Sequence, residues 1–91
     1  MFLEDYKPLS NIVKVEEIKE SEHFQIQKYD ESLFIGEIVD NKREGKGIML
    51  YKSGRVYEGF FKNDLREGKG FEKYANGNTY VGGFKKGKAH F

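Results

Sequence analysis

Residues 43–47 read Arg-Glu-Gly-Lys-Gly, and residues 66–70 repeat the same five residues without a change. The copy starts 23 residues after the original, and between the windows 36–54 and 59–77 eight of nineteen positions are identical. A fixed period of this length indicates one supersecondary unit stacked on copies of itself, because so small a unit cannot bury its apolar face alone. The repeat therefore predicts a fold built from stacked copies of one unit.

Each period contains two short runs typical of β-strands. Residues 71–74 form one run, and residues 80–84, in which aromatic residues alternate with glycine, form the next. Asn76 and Gly77 lie between them, and Asn-Gly favours a two-residue type I′ turn because both residues take positive φ. The unit is thus predicted to be a β-hairpin. Two polar stretches are predicted to be loops between hairpins, residues 40–46 and 63–69.

Glycine recurs inside the predicted strands, where it weakens a strand unless something packs over its bare backbone. We therefore expect an aromatic side chain from the opposite strand to cover each of these positions, with Tyr80, Gly82 and Phe84 on one face of the sheet. The glycines expected to be structural are Gly36, Gly45, Gly47, Gly59, Gly68, Gly70 and Gly82. The predicted turn pairs Phe71 with Gly82, Lys73 with Tyr80 and, in the preceding copy, Ile48 with Gly59.

The composition divides the chain at about residue 34. All eleven glycines follow that point, and the charge changes from four lysines against eight acids before it to twelve Lys/Arg against seven acids after it. With 91 residues the chain has room for one small domain. We predict an N-terminal arm over residues 1–22, a degenerate capping strand and turn over residues 23–33, and a repeat module over residues 34–91. Residues 11–20 fit neither the helical nor the strand period, so both conformations stay open there.

The composition argues against most kinds of catalytic and ligand-binding site. There is no Cys, and the two histidines are 67 residues apart, so no metal site, disulfide or cofactor is expected. Glu58 and Glu72 are expected on a solvated face and not as a catalytic pair. Residues 82–88 match G-x-x-x-x-G-K, but Ala89 replaces the Ser/Thr that would hold Mg²⁺. A net charge of +1 argues against nucleic-acid binding, and no apolar run predicts a signal peptide or a membrane span.

Residues 57–70 resemble a MORN repeat (membrane occupation and recognition nexus), and the resemblance covers residues 34–91, about two and a half units. Phe34 stands where the family has Tyr, and Phe91 stands where it has the first Gly of Gly-x-Gly. Only Lys86-Gly87 comes close to the family's usual Asn-Gly turn. The resemblance implies an all-β fold, an elongated, twisted, single-layer antiparallel sheet of stacked β-hairpins that serves as a spacer or docking surface without catalysis. Chains with such repeats occur in ciliary radial spoke heads, in membrane-tethering junction proteins, in lipid kinases and in a lysine methyltransferase.

The function expected from this resemblance is that of a non-catalytic structural or adaptor subunit in a cytoplasmic assembly. The first candidate for that assembly is a cytoskeletal or ciliary complex. The alternatives are a peripheral phosphoinositide-binding module and an accessory fragment of a multidomain enzyme. We expect partner proteins to dock on the aromatic face and on an unpaired edge strand at residues 79–84. The candidates for that docking are Tyr57, Phe61, Tyr80, Phe84 and Phe91. The candidates for a weak contact with anionic lipid are Lys85, Lys86 and Lys88.

Overall fold

The computed structural model describes residues 6–90, which form one seven-stranded antiparallel sheet with its strands in chain order, preceded by a short helix. The predicted fold class, a single-layer sheet of stacked hairpins, is confirmed. No helix within residues 6–90 is long and apolar enough to cross a membrane. The elements are α1 (Val15–Lys19), β1 (Phe24–Lys28), β2 (Ser32–Val39), β3 (Lys42–Tyr51), β4 (Val56–Lys62), β5 (Leu65–Lys73), β6 (Thr79–Lys85) and β7 (Lys88–His90).

The sheet has two differently covered faces. One, the aromatic face, is closed by its own side chains, which are Phe34, Ile38, Met49, Tyr57, Phe61 and Phe84. The other, the arm face, is covered over β2 and β3 by the N-terminal arm, whose Val13, Val15 and Ile18 pack on Ile35 and Ile48. The arm is irregular up to α1, a single helix of five residues, so the open question about residues 11–20 is answered by a short helix at their end.

The tight turns are not where the sequence suggested. Two-residue turns with positive φ at both positions lie at residues 40–41, 63–64 and 86–87. The stretches 40–46 and 63–69, predicted as loops, are therefore mostly the beginnings of β3 and β5. At Asn76-Gly77 the chain forms a three-residue loop in which only Gly77 has positive φ.

The longer loop moves the strand register by one residue. Phe71 lies opposite Val81, Lys73 opposite Thr79, and Gly70 opposite Gly82. The predicted pairs Phe71 with Gly82 and Lys73 with Tyr80 are wrong for this reason. The predicted pair of Ile48 with Gly59 is wrong in the same way, because Ile48 lies opposite Glu58 and Gly47 opposite Gly59.

The predicted unpaired edge at residues 79–84 is partly wrong. β7 pairs with the end of β6, with Lys88 opposite Lys85, Ala89 opposite Phe84 and His90 opposite Gly83. The start of β6 pairs only with β5 among the described residues. Phe91, the last docking candidate, lies outside the described residues.

Candidate functional site

A row of glycines crosses the sheet from β2 to β6. The pairs are Gly36 with Gly47, Gly47 with Gly59, Gly59 with Gly70, and Gly70 with Gly82. An aromatic ring two residues before the first glycine of each repeat covers this row, so that a Cβ added at Gly59 or Gly70 would meet the Tyr57 ring or hydroxyl at 2.6 Å. The expected aromatic cover is therefore present, but it comes from the same strand as well as from the neighbouring one.

The covering rings form a continuous chain of edge-to-face contacts along the aromatic face. The contacts join Phe34 to Phe61, Phe61 to Tyr57, Tyr57 to Phe84, and Phe84 to Tyr80, at centroid separations of 5.0 to 5.4 Å. Tyr57 also donates a hydrogen bond from its hydroxyl to the carbonyl of Phe60 at 2.8 Å. Burial raises the pKa of the Tyr57 hydroxyl far above its usual range, although the Arg66 guanidinium and that hydrogen bond act in the opposite direction.

This packing decides how the docking candidates are presented. Tyr57, Phe61 and Phe84 are buried, and Tyr80 is half-buried. A partner would reach the first three only by displacing their neighbours, so the structure offers no open aromatic surface at these positions. Their role in docking stays a prediction.

The repeated Arg-Glu pair holds the tight turn of the following repeat. The backbone amide of Asn63 donates to the Glu44 carboxylate at 3.0 Å, and the amide of Asp64 donates to the Arg43 carbonyl at 3.0 Å. One repeat later Lys86 and Gly87 make the same two bonds to Glu67 and Arg66. The Arg and Glu residues of the repeated motif thus connect consecutive repeats, which explains why they recur unchanged.

Arg43 adds a charged contact to the turn that it holds. Its guanidinium donates to the Asp64 carboxylate at 2.7 Å and to the Asp64 carbonyl at 2.9 Å. Partial burial raises the pKa of the Asp64 carboxyl, but the hydrogen bonds and charge of Arg43 outweigh that effect and hold the pKa below its usual 3.8. A carboxyl with a lowered pKa stabilises the fold above its unfolded pKa, and this contribution disappears as the pH falls through the folded pKa.

We therefore expect Asp64→Asn to cost a few tenths of a kcal/mol at pH 7, and this difference from the parent should shrink at a pH well below 3.8. Asn accepts the positive φ of 72° at this position, so the turn itself is kept. Urea unfolding at both pH values is the measurement, and Asp40→Asn, in the equivalent turn of the first repeat, is the control. A difference that persists at the lower pH would show that the carboxylate charge is not its source.

Glu72 is buried on the aromatic face, contrary to the solvated position expected for it. Its side chain is 3% exposed, and one carboxylate oxygen accepts hydrogen bonds from Arg55 and Arg66, both at 2.5 Å. Arg66 also stacks on the rings of Tyr57 and Phe84, with its guanidinium carbon 5.4 and 5.3 Å from the ring centroids. The group is fully paired within the sheet and is therefore structural.

Glu58 is also buried, on the opposite face, so it cannot form a carboxylate pair with Glu72. Its two carboxylate oxygens accept four hydrogen bonds, all of them from the arm, from the Tyr6 hydroxyl at 2.6 Å, the Leu9 amide at 2.7 Å, the Ser10 amide at 2.8 Å and the Ser10 hydroxyl at 2.6 Å. Burial and the bond to Glu58 raise the pKa of the Tyr6 hydroxyl, which keeps it a donor. Glu58 therefore anchors the start of the arm.

Beyond Glu58 the arm face buries Phe71 but exposes Val81 and several lysines. Lys69 and Lys73 alternate with Phe71 on β5, and Val81 lies opposite Phe71 with an exposed fraction of 61%. Lys85 on β6 and Lys88 opposite it on β7 continue the same face. None of these four lysines forms an ion pair with another of residues 6–90. We call Lys69, Lys73, Lys85 and Lys88 with Val81 the lysine surface.

The lipid candidates lie partly on this surface. Lys85 and Lys88 belong to it, and Lys86 lies in the turn between β6 and β7. The sequence analysis missed Lys69 and Lys73, which join the others only when the register is known. Residues 82–88 form β6, the turn and the start of β7, with no helix after the G-x-x-x-x-G-K pattern within the described chain. Residues 6–90 contain no cluster of three His, Asp or Glu side chains arranged to hold a metal ion.

Comparison with protein families matches the MORN repeat over residues 34–54, 57–79 and 80–90. Comparison with curated proteins gives no significant match. The matched residues contain the glycine row, the covering rings and the Arg-Glu pairs, so the family signature and the internal contacts coincide. MORN repeats are in general binding modules for proteins or membranes, without catalytic activity. The matches span more than half of the sequence, and the chain therefore belongs to the MORN repeat family.

Proposed function

We propose that this chain is a non-catalytic adaptor that docks a partner protein on its lysine surface. The observation that supports the proposal is the uneven cover of the arm face. The arm packs on β2 and β3 and reaches Glu58 on β4, whereas β5 to β7 present Val81 and four lysines that form no ion pair within residues 6–90. A single-layer sheet has no second layer, so an uncovered face that is partly apolar is a natural place for a partner.

The chemistry of this surface favours a protein over a membrane. Residues 68–90 contain five lysines and one acid, Glu72, which is buried on the other face with two arginines. At a membrane surface each lysine contributes about 1 kcal/mol before screening, and stable anchoring needs an inserted apolar group as well. The lysine surface offers a single exposed valine, Val81, for insertion into a bilayer, whereas a protein can place acids and apolar side chains directly against it.

The adaptor role can be tested by affinity purification from native extract with the full chain as bait. The parent and a Lys7→Glu/Lys28→Glu control, changed at exposed lysines outside the lysine surface, should retain the same proteins. A Lys69→Glu/Lys73→Glu variant that keeps the parent circular dichroism spectrum should lose them. Retention of the same proteins by this variant would contradict the proposal.

A vesicle experiment tests the membrane alternative. We expect weak co-sedimentation of the chain with phosphoinositide vesicles at about 0.15 M salt, because screened charges without an anchor bind marginally. Changing Lys85, Lys86 and Lys88 together to Glu should therefore alter the bound fraction little. Strong co-sedimentation that this triple variant abolishes would make the membrane the better candidate partner.

The cellular setting that we propose is a cytoplasmic assembly of the cytoskeleton or the cilium. This part of the proposal is supported by the family resemblance alone. Imaging of the tagged chain in ciliated cells is the direct test, and a uniform distribution with no enrichment on either structure would contradict it.

A further inference from the structure

The lysine surface repeats the surface on which the arm lies. With the period of 23, Lys46 corresponds to Lys69, and Ile48 corresponds to Phe71. Each pair occupies the same strand position in its hairpin, since Ile48 lies opposite Glu58 on β4 and Phe71 lies opposite Val81 on β6. The sheet thus contains two copies of one docking surface, of which the arm fills the first.

The filled copy reveals which chemistry this surface binds. Val15 and Ile18, three residues apart on α1, are buried against the cluster that contains Ile35 and Ile48. Between them Glu17 directs its carboxylate to the Lys46 ammonium at 3.0 Å. The occupant is therefore a short helical turn with two apolar residues on one side and an acid beside them.

The second copy differs from the first in ways that favour an occupant with more negative charge. Lys73 stands where the first copy has Leu50, and Val81 stands where the first copy has Glu58. The position of Glu58 is what fixes the arm, because Tyr6, Leu9 and Ser10 all bind it. Without that carboxylate, the second copy exposes Val81 and lysines around the buried Phe71.

We infer that the lysine surface binds an acidic amphipathic segment of a partner protein, a short helical turn whose apolar residues pack on the exposed Val81, beside the buried Phe71, and whose carboxylates pair with Lys69 and Lys73. This inference rests on the proposed adaptor function and names the class of partner. Within residues 6–22 the arm of the same chain lies over β2 to β4, where Glu58 holds it, and not on the lysine surface. Lys46, which forms an ion pair with Glu17 in the first copy, corresponds to Lys69 in the second. Lys69 is exposed and without an ion pair among residues 6–90.

A peptide titration followed by NMR tests the inference on the intact chain. The probe is a synthetic peptide with the sequence of residues 11–22, which carries four acids and two lysines. We expect saturable shifts of the backbone amides of Lys69, Phe71 and Val81, with a Kd of about 1 mM or tighter. A Lys69→Glu/Lys73→Glu variant should bind about tenfold more weakly, whereas Lys28→Glu on β1 should bind as the parent does. A peptide in which Glu16 and Glu17 are Lys should cause no shifts.

Three results would overturn the inference. The first is the absence of shifts at about 1 mM peptide. The second is shifts confined to β2 and β3, which would mean that the peptide exchanges with the arm. The third is tight binding to vesicles containing phosphatidylserine that the Lys69→Glu/Lys73→Glu variant loses, which would assign the surface to a membrane. If the purification still finds partners that need Lys69 and Lys73 while the peptide fails, the adaptor function stands and the partner class is wrong.

Discussion

Replacing Gly59 by alanine should destabilise the chain by about 3 kcal/mol, which for a domain of this size lowers the melting temperature by about 15 °C. The added Cβ would lie 2.7 Å from the Cα of Gly70 and 2.7 Å from the carbonyl oxygen of Lys69, and also 2.6 Å from the Tyr57 hydroxyl. Two of these atoms belong to the backbone of β5, so the strands must separate to admit the methyl group. Thermal melts followed by circular dichroism provide the measurement.

Two other glycines in the same sheet give graded controls. At Gly82 the added Cβ meets the end of the Tyr80 ring and its hydroxyl, which can rotate away, so Gly82→Ala should cost about 1 kcal/mol. At Gly83 the nearest atom is the His90 carbonyl oxygen at 3.3 Å, near the end of the short β7, and Gly83→Ala should melt close to the parent. Equal melting temperatures for the three variants would show that close approach of the backbones does not explain the glycine row.

The period of the sequence predicted stacked β-hairpins and the family resemblance predicted the single-layer sheet, but local turn signals misplaced the register. Asn76-Gly77 is the strongest hairpin dipeptide in the chain, yet Asn76 does not take positive φ, and the loop there has three residues. Asn63-Asp64 has no glycine and still forms a two-residue turn. The amides of this turn donate hydrogen bonds to the Glu44 carboxylate and the Arg43 carbonyl of the preceding repeat. These tertiary contacts cannot be predicted from the four residues of the turn alone.

The candidate site was harder to predict because it depends on both register and long-range contacts. Lys69, Lys73 and Lys85 look like scattered charges until the pairing of β5 with β6 places them on one face around Val81. Glu58 did leave a signal in the sequence, since an acid occupies the position held by Ile35 and Val81 in the neighbouring repeats. Its hydrogen-bond donors Tyr6 and Ser10 are 52 and 48 residues away in the sequence, so only the structure could reveal their role.

Replacing Glu58 by alanine should detach the start of the arm. The substitution leaves four donors of the arm without their acceptor and opens a space in the buried face, so we expect a loss of about 3 kcal/mol. Hydrogen exchange at the Leu9 and Ser10 amides should accelerate roughly a hundredfold, because the free energy needed to open this part of the arm falls by about the same amount. Exchange of the β4 and β5 amides should be affected less than that of the arm.

Three further substitutions separate the anchoring of the arm from general damage. Glu16→Ala removes an exposed acid of α1 and should leave exchange at Leu9 and Ser10 unchanged. Ser10→Ala removes one hydroxyl donor and should cost about 1 kcal/mol. Glu58→Val introduces the residue found at Val81 and fills the site with an apolar side chain, so the melting temperature should fall less than with alanine, although the arm amides still exchange fast. If Leu9 and Ser10 keep the parent exchange rate in Glu58→Val, the four hydrogen bonds do not hold the arm, and packing of Val13, Val15 and Ile18 must do so instead.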